Sequence, residues 1–417
     1  MLLYITNDAI TLGILTTTVA FVLMASKSNY PFFKTLFKYC PPLLLCYFLP
    51  ALMFSPLGWI SAETSHLYQV ATQIFLPAAL VLFCLSLDLQ TIIGLGPKAV
   101  WVFLAGAVGV ILGGPIALFI VKTLAPALLI SNHDQLWRGL STIAGSWIGG
   151  SANQVAMKEM YQVGDDLFAS MIIIDVVAAN VWMGVLLYWA SISGRIDKWL
   201  HADTTALDAL KHKVTAYHLS IEKNASVPDI FLLLATAFGG VALSHWAAEY
   251  IVGALKPFQA TLCYYKIDSI TSTFFWIVLI ATTVGVLFSF TPLRKLEGIG
   301  ASKWGTVFIY FLVTTIGMKM NIVEMFNNLG LFVVGFIWMS FHAIIIFAAG
   351  RLLKAPFFFV AVGSQANIGG AASTPIIAAA FHPSLAPVGV LLAVLGYALG
   401  TYGGIICAML LRYVALS

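Results

Sequence analysis

Long apolar runs separated by short polar loops dominate the chain. Ten of these runs are long enough to cross a bilayer core, which takes about 20 helical residues. They span residues 9–25, 41–60, 70–87, 100–120, 167–189, 230–255, 272–290, 304–320, 331–349 and 388–411. Two more stretches, 141–160 and 357–380, are equally long but are interrupted by glycine, serine and amide residues. The pattern predicts an all-α polytopic membrane protein with ten to twelve membrane segments.

One extended polar stretch, residues 191–229, divides the chain into two halves and is predicted to be a cytoplasmic connector. Residues 1–190 and 230–417 each contain a polar signature, a span and then a glycine-containing break. The breaks read AGSWIGGSANQVA from Ala144 and VGSQANIGGAASTPIIA from Val362. This shared order favours duplication, so we expect two transmembrane repeats of the kind found in transporters.

The basic residues of the short loops indicate the orientation. They are Lys27, Lys34, Lys38, Lys98, Arg195, Lys198, Arg294, Lys295, Arg351 and Lys354. All of them are cytoplasmic if each broken stretch enters and leaves on the same side of the membrane. Each half then has five crossings, which predicts inverted repeats with both termini outside. Counting six crossings per half would give parallel repeats, but would leave some basic loops outside. The sequence does not distinguish re-entrant hairpins from split helices that cross.

Composition excludes several classes of protein. The chain is 60% hydrophobic and 9% charged, against about a quarter charged for a soluble domain. Its 21 basic and 17 acidic residues are scattered, so lipid rather than nucleic acid is the expected partner. The five cysteines show no disulfide or metal-ligand spacing. No metalloprotease, nucleophile-elbow or phosphate-loop motif occurs, so we expect no enzymatic activity and no cofactor beyond a coupling ion.

The breaks are the expected solute site. Gly149 and Gly150 in the first, and Gly369 and Gly370 in the second, allow the helix to unwind beside protein or water. Helix ends there would direct N–H groups at an anion, and freed carbonyls could hold a cation. The candidate solute ligands are Ser146, Ser151, Asn153, Gln154, Ser364, Gln365, Asn367, Ser373 and Thr374. The alternative is that these small and amide residues only permit close helix packing.

Asp175 is the strongest single candidate. It lies near the middle of a span, where an acid is costly unless it is neutral, paired or facing water. A proton or a sodium ion is its natural companion, so Asp175, Asn153 and Asn367 are predicted to couple an ion to transport. The alternative is a protonated aspartate that is hydrogen-bonded to a neighbouring helix.

Three other polar residues have weaker signals. Lys158 and Glu159 follow the first break and form either an ion pair that lines the cavity or the exposed end of that segment. His342 lies within a span and is interpreted as a hydrogen-bonded core residue rather than a proton relay.

The segments IAGSWIGGSANQVA, VGSQANIGGAASTPIIAAAF and LGYALGTYGG resemble the YjcL-like family of uncharacterised bacterial inner-membrane proteins. That family is placed in the superfamily of cation/proton antiporters and anion transporters. The resemblance implies an inner-membrane location, two interrupted helices that cross, an elevator mechanism and a homodimer formed by a panel domain. It would set Asn153, Gln154 and residues 365–370 at the crossover, with Asp175 beside them. The paired acids of many antiporters are here one aspartate, which argues against two-proton exchange.

Together these observations predict a secondary active transporter of a small polar or anionic organic solute, coupled to sodium or protons. A sodium/proton antiporter without an organic substrate is the first alternative. A holin-like or regulatory membrane protein, which needs no ion site, is the second.

Overall fold

A computed structural model describes residues 5–54, 57, 59, 65–87, 92, 95–130, 132–203, 225–264, 268–320, 328, 330–382 and 385–417. Its helices are α1 (Asp8–Ser26), α2 (Pro31–Tyr39), α3 (Pro42–Phe54), α4 (Leu67–Leu85), α5 (Pro97–Leu124), α6 (His133–Met160), α7 (Asp165–Ser191), α8 (Ser193–Leu200), α9 (Val227–Leu255), α10 (Gln259–Tyr264), α11 (Thr273–Ser289), α12 (Ala301–Gly317), α13 (Leu331–Leu352), α14 (Phe357–Ile368), α15 (Gly370–Phe381) and α16 (Ala386–Leu416). Most of the predicted connector lies outside the described residues.

The helices confirm a polytopic membrane protein. Among the described residues, seven helices are long and apolar enough to cross a membrane. Two further pairs of helices, each bent by more than 90° at a short break, bring the number of candidate spans to as many as nine. Local signals set several helix starts: Asn7 caps α1, and a Ser226–Asp229 capping box begins α9.

The first broken stretch, α6, is a hairpin. Its backbone leaves the helical region at Gly149 (φ −137°, ψ 16°) and at Gly150 (φ 72°, ψ −173°). The two arms then run antiparallel, because Arg138 Nη1 donates to the Tyr161 carbonyl at 2.6 Å near the two ends of the stretch. Gly150 has a backbone conformation that is essentially restricted to glycine. We call α6 the first hairpin.

The second broken stretch is also a hairpin, made of α14 and α15. The helices meet at Gly369, and Gly370 has φ +59°. Gln365 Nε2 donates to Ser373 Oγ at 2.7 Å across the arms, and the Phe357 and Phe381 rings lie 5.8 Å apart at the open end. The two ends of this stretch therefore also lie side by side. We call α14 and α15 the second hairpin.

The two hairpins approach from opposite ends of the molecule and touch at their tips. Helix α16 starts just after the second hairpin and runs for 31 residues, about 46 Å, until Arg412 lies over Trp137 at the open end of the first hairpin. A Cβ placed on Gly370 would lie 3.8 Å from Gly150 Cα. The two arms of each broken stretch pack against each other. These contacts describe two hairpins and not the crossing helices that the resemblance implies.

The helices pack as two bundles. The hairpin bundle contains α5, α6, α7, α13, α14, α15 and α16, and the companion bundle contains α1, α3, α4, α9, α11 and α12. In the companion bundle α3 packs on α12 and α4 packs on α11, while α5 packs on α13 in the hairpin bundle. Each half of the sequence therefore contributes to both bundles, and its early spans lie in the companion bundle.

The two ends of the molecule differ in their charged contacts. At the basic end, Lys98 Nζ lies 3.2 Å from Asp203 Oδ2 and also bonds to the Lys354 carbonyl, while Arg351 bonds to the Trp199 carbonyl. The open end of the second hairpin lies here. We call the opposite end of the molecule the terminal end. There, Lys122 Nζ donates to the Val414 carbonyl at 3.0 Å. The open end of the first hairpin lies there.

Candidate functional site

A cavity of about 210 Å³ lies where the hairpin tips meet. Its polar wall comes from the two tips, and its apolar wall comes from α3 and α7. The lining residues are Pro41, Leu43, Leu44, Tyr47, Ser146, Gly150, Ser151, Gln154, Ile172, Asp175, Val176, Ala179, Asn180, Met183, Gln365, Ile368, Gly369, Gly370, Ala371, Ser373 and Tyr397. The tips thus leave a small space that has polar side chains and helix ends on one side and a mainly apolar lining elsewhere.

Asp175 is 7% exposed, and both of its carboxylate oxygens are engaged. The Trp147 indole N–H donates to Oδ1 at 2.6 Å, and the Gln154 amide N–H donates to Oδ2 at 3.2 Å. Ser146 Oγ also lies 2.6 Å from Oδ2. All three partners belong to the first hairpin, so Asp175 ties α7 to that hairpin. The Ser146 hydroxyl can rotate, so it donates a hydrogen bond to the ionised carboxylate and can accept one from the protonated acid.

Nine of the predicted site residues line this cavity. They are Ser146, Ser151, Gln154, Asp175, Gln365, Ser373, Gly150, Gly369 and Gly370. They come from the first hairpin, from α7, which follows it directly, and from the second hairpin, which is far away in the sequence. The structure therefore brings the two glycine breaks and the mid-span acid to one place.

Asn153, a predicted ligand, is buried and is not among the residues that line the cavity. Its Nδ2 donates to the carbonyls of Gly149 and Tyr397 at 3.0 Å each, and its Oδ1 accepts from Thr401 Oγ1 at 2.6 Å. All the hydrogen-bonding capacity of its nitrogen is used on backbone carbonyls. Asn153 therefore holds the first hairpin against α16 and is not directed at a solute. Gly149 lies beside it, where a Cβ would come within 2.6 Å of Gly400 Cα.

Asn367, Ser364 and Thr374 also lie outside the cavity lining. Asn367 Nδ2 donates to the carbonyls of Phe103 at 3.1 Å and of Gly363 at 2.9 Å. Thr374 bonds to the Gly370 carbonyl within its own hairpin. The ion-ligand role of Asn367 stays a prediction: its N–H groups bond to backbone carbonyls, and its Oδ1 atom is buried without a hydrogen-bond partner among the described residues.

His342 is buried and connects neighbouring helices through hydrogen bonds, in line with its interpretation as a core residue. Its Nδ1 lies 2.9 Å from the Gly106 carbonyl, which can only accept, so the neutral ring carries its proton on Nδ1. Nε2 then accepts from Ser364 Oγ at 2.8 Å, and Ser364 in turn accepts from the Trp182 indole N–H. This network links α5, α7, α13 and α14 behind the cavity.

Sequence reasoning missed several residues of the site. Trp147 stands inside the first broken stretch and bonds to Asp175, but an aromatic residue in a span gives no polar signal in the sequence. Tyr47 lines the cavity from α3, an apolar run without any motif. Tyr397 lies in the last span, where no sequence pattern marks it; it lines the cavity and stacks on Phe83 with ring centroids 4.3 Å apart.

A second group of charges lies at the terminal end. Lys158 is 5% exposed, and its Nζ lies 2.8 Å from Tyr68 Oη, 3.0 Å from Glu159 Oε1 and 2.9 Å from Asp165 Oδ1. Lys319 Nζ lies 3.5 Å from Asp165 Oδ2 and 4.1 Å from the centre of the Tyr68 ring. Tyr68 Oη also donates to Glu159. We call these five residues the terminal cluster, and a cavity of about 340 Å³ lies beside it.

Comparisons with known proteins give the family. Residues 13–414 match the family described as "Protein of unknown function (DUF819)", so the chain belongs to that family. The chain is also 25% identical over 364 residues to the uncharacterized membrane protein YjcL of Bacillus subtilis (strain 168), covering 85% of this chain and 86% of that protein. The resemblance to YjcL-like membrane proteins is thereby confirmed, and the wider superfamily stays a prediction. No group of three or more His, Cys, Asp or Glu side chains that could hold a metal occurs among the described residues.

Proposed function

We propose that this member of a family of unknown function is a secondary active transporter of a small polar or anionic organic solute, coupled to sodium or protons. The observation that carries the proposal is the meeting of two glycine-broken hairpin tips at a polar cavity beside Asp175. Non-helical backbone in a membrane interior is stable only next to protein or water, which makes such a cavity the natural place for a polar guest.

The cavity chemistry suits a small solute with an anionic group. The second arms of the two hairpins start at Ser151 and Gly370, so their positive N-terminal ends face the cavity. Hydroxyl and amide groups of Ser151, Gln154 and Gln365 complete the polar wall. Its volume of about 210 Å³ fits a metabolite and not a polymer.

The packing supports inverted repeats. The first half contributes, in order, α1, α3, α4, α5, the first hairpin and α7. The second half contributes, in the same order, α9, α11, α12, α13, the second hairpin and α16. If these elements are equivalent one by one, the contact of α3 with α12 is equivalent to the contact of α11 with α4, and both contacts are present. The hairpins, which enter from opposite ends, would then be equivalent re-entrant segments. Such a pair gives each half five crossings and leaves both termini on one side of an inner (plasma) membrane.

The two bundles supply the moving parts. In this proposal the hairpin bundle carries the solute and moves as a body against the companion bundle, which is the elevator form of alternating access. Asp175 binds the coupling ion and is tied to the hairpin that moves. The homodimer is carried over from the resemblance, with the companion bundle as its expected interface.

The proposal is tested in two steps. Purified protein is first screened for thermal stabilisation by organic acids and other small polar solutes at varied sodium, potassium and pH, because a ligand of the native state raises its stability. Hits are then assayed for uptake into proteoliposomes with and without imposed ion gradients. Gradient-driven accumulation supports the proposal. Sodium-driven proton flux without any solute would instead favour the antiporter, and leakage independent of gradients would favour a channel or holin-like protein.

A further inference from the structure

The terminal cluster joins the two bundles. Tyr68 belongs to α4 and Lys319 follows α12, so both lie on the companion bundle. Lys158 and Glu159 end the first hairpin and Asp165 begins α7, so these three lie on the hairpin bundle. The contacts of Tyr68 and Lys319 with these three residues therefore cross from one bundle to the other, whereas Lys319 packs on the Tyr68 ring within the companion bundle.

The solute cavity extends away from this cluster. From Asp175 its wall continues along α7 through Ala179 to Met183, in the direction of Ser191 at the basic end. On α3 it continues from Tyr47 back to Pro41, at the start of that helix. Between the cavity and the terminal end lie the second arm of the first hairpin and the start of α7, which the terminal cluster fastens to α4.

We propose that the terminal cluster is the gate that closes the solute cavity at the terminal end, and that the structure represents the state in which the cavity faces the basic end. The inference rests on the proposed transport function, because a gate matters only if the bundles move. When the hairpin bundle moves, the Tyr68 contacts with Lys158 and Glu159 and the Lys319–Asp165 pair must break. Lys158 keeps Glu159 and Asp165, which move with it, so the buried lysine never loses all its charged partners.

The contacts that must break when the gate opens are weaker than the ion pairs that stay intact. The ion pairs that would be costly to break, those of Lys158 with Glu159 and Asp165, lie within one bundle. The contacts between bundles are those of the Tyr68 hydroxyl with Lys158 and Glu159, and a 3.5 Å ion pair between Lys319 and Asp165 that is about one-third exposed at the Lys319 side chain. Exposed pairs of this kind are weak, so opening needs no unpaired buried charge.

The test measures access to the cavity from each side. Ser151 at the tip of the first hairpin is replaced by cysteine in a protein carrying Cys40→Ser and Cys263→Ser, and a membrane-impermeant maleimide is applied to intact cells and to inside-out vesicles. We expect labelling mainly from the side of the basic end. Tyr68→Phe and Lys319→Gln should raise labelling from the terminal side about tenfold, the change that ~1.4 kcal/mol produces in a two-state population.

The controls separate the gate from other effects. Lys98→Gln removes an ion pair with Asp203 at the other end, away from the terminal cluster, and should leave both labelling rates unchanged. Lys158→Arg keeps the charge and should resemble the parent protein more than Lys158→Met does. Unchanged labelling in both folded variants, Tyr68→Phe and Lys319→Gln, would overturn the gate. Altered labelling in a protein that accumulates no solute would uphold the gate and refute the transporter instead.

Discussion

The indole N–H of Trp147 donates a hydrogen bond to Asp175 Oδ1 across 2.6 Å. The bond joins the first hairpin, two residues before its backbone leaves the helical region at Gly149, to the middle of α7. Both groups are buried, so the orientation of the acid and the path of the hairpin tip depend on each other. This link gives Trp147 a role in positioning Asp175, which then faces the cavity with its remaining hydrogen-bonding capacity.

Trp147→Phe should lower the thermal stability of the protein. The substitution keeps an aromatic ring but removes the donor to Oδ1, and a buried acceptor that loses its partner costs about 1–3 kcal/mol. Thermal unfolding in detergent measures the effect. Trp246→Phe, on an exposed face of α9, is the matched control and should change the Tm little. Equal shifts in the two variants would contradict the positioning role.

Asp175→Asn should abolish ion-coupled uptake while the protein still inserts and folds. Asparagine keeps the volume and an oxygen that can accept from Trp147, but it cannot bind and release a proton or carry a negative charge. The measurement is solute uptake into proteoliposomes under an imposed gradient, with size-exclusion chromatography to check folding. Asp166→Asn, at the start of the same helix, serves as the control. Full gradient-driven uptake by Asp175→Asn would remove Asp175 from the coupling mechanism.

Gly150→Ala should destabilise the first hairpin by about 1–3 kcal/mol, because φ 72° with ψ −173° is a region that only glycine occupies readily. The control is Gly184→Ala on α7, where a Cβ would meet no atom within 4 Å. Alanine in a helix interior is favoured over glycine by roughly 0.5–1 kcal/mol, so that variant should be neutral or slightly stabilised. The Tm of each variant is measured. A loss of stability in Gly150→Ala that is smaller than expected would argue against a required turn at Gly150.

Asn153→Ala should be more destabilising than Thr401→Val, because Asn153 makes three buried hydrogen bonds and Thr401 shares only one of them. In a double-mutant cycle the combined loss should be smaller than the sum of the two single losses, since the bond that Asn153 and Thr401 share is lost in either variant, while the bond of Thr401 with Thr282 is lost only with Thr401. Unfolding measurements on the four proteins test this. Additive losses would show that the two side chains do not act through one bond.

Asp197→Asn should raise stability at neutral pH. Partial burial raises the pKa of Asp197, while the hydrogen bond from the Phe357 N–H opposes this shift. With a raised folded-state pKa, stability is greatest when the group is protonated, and it falls as pH rises from the ordinary aspartate pKa of 3.8 through the folded-state pKa. Asparagine keeps an acceptor for Phe357 without the charge. The Tm gain should therefore shrink as pH is lowered toward 4, and a gain that is independent of pH would refute this account.

The sequence by itself determined where the helices lie and where two of them break. Hydropathy is a local property, so the ten apolar runs coincide with helices in the structure. The glycine pairs fix the turns for an equally local reason, since Gly150 and Gly370 adopt positive φ. The mid-span position of Asp175 likewise needed no tertiary information to mark it as exceptional.

Only the tertiary structure decided what those breaks do. Hairpins and crossing helices have the same hydropathy, and the choice depends on contacts such as that of Arg138 with Tyr161. Asn153 and Gln154 are neighbours in the sequence, yet the first bonds to carbonyls of its own hairpin and α16 while the second faces the cavity beside Asp175. Which way a side chain points at a helix break is set by the helices packed around it, and the terminal cluster likewise exists only because distant segments meet.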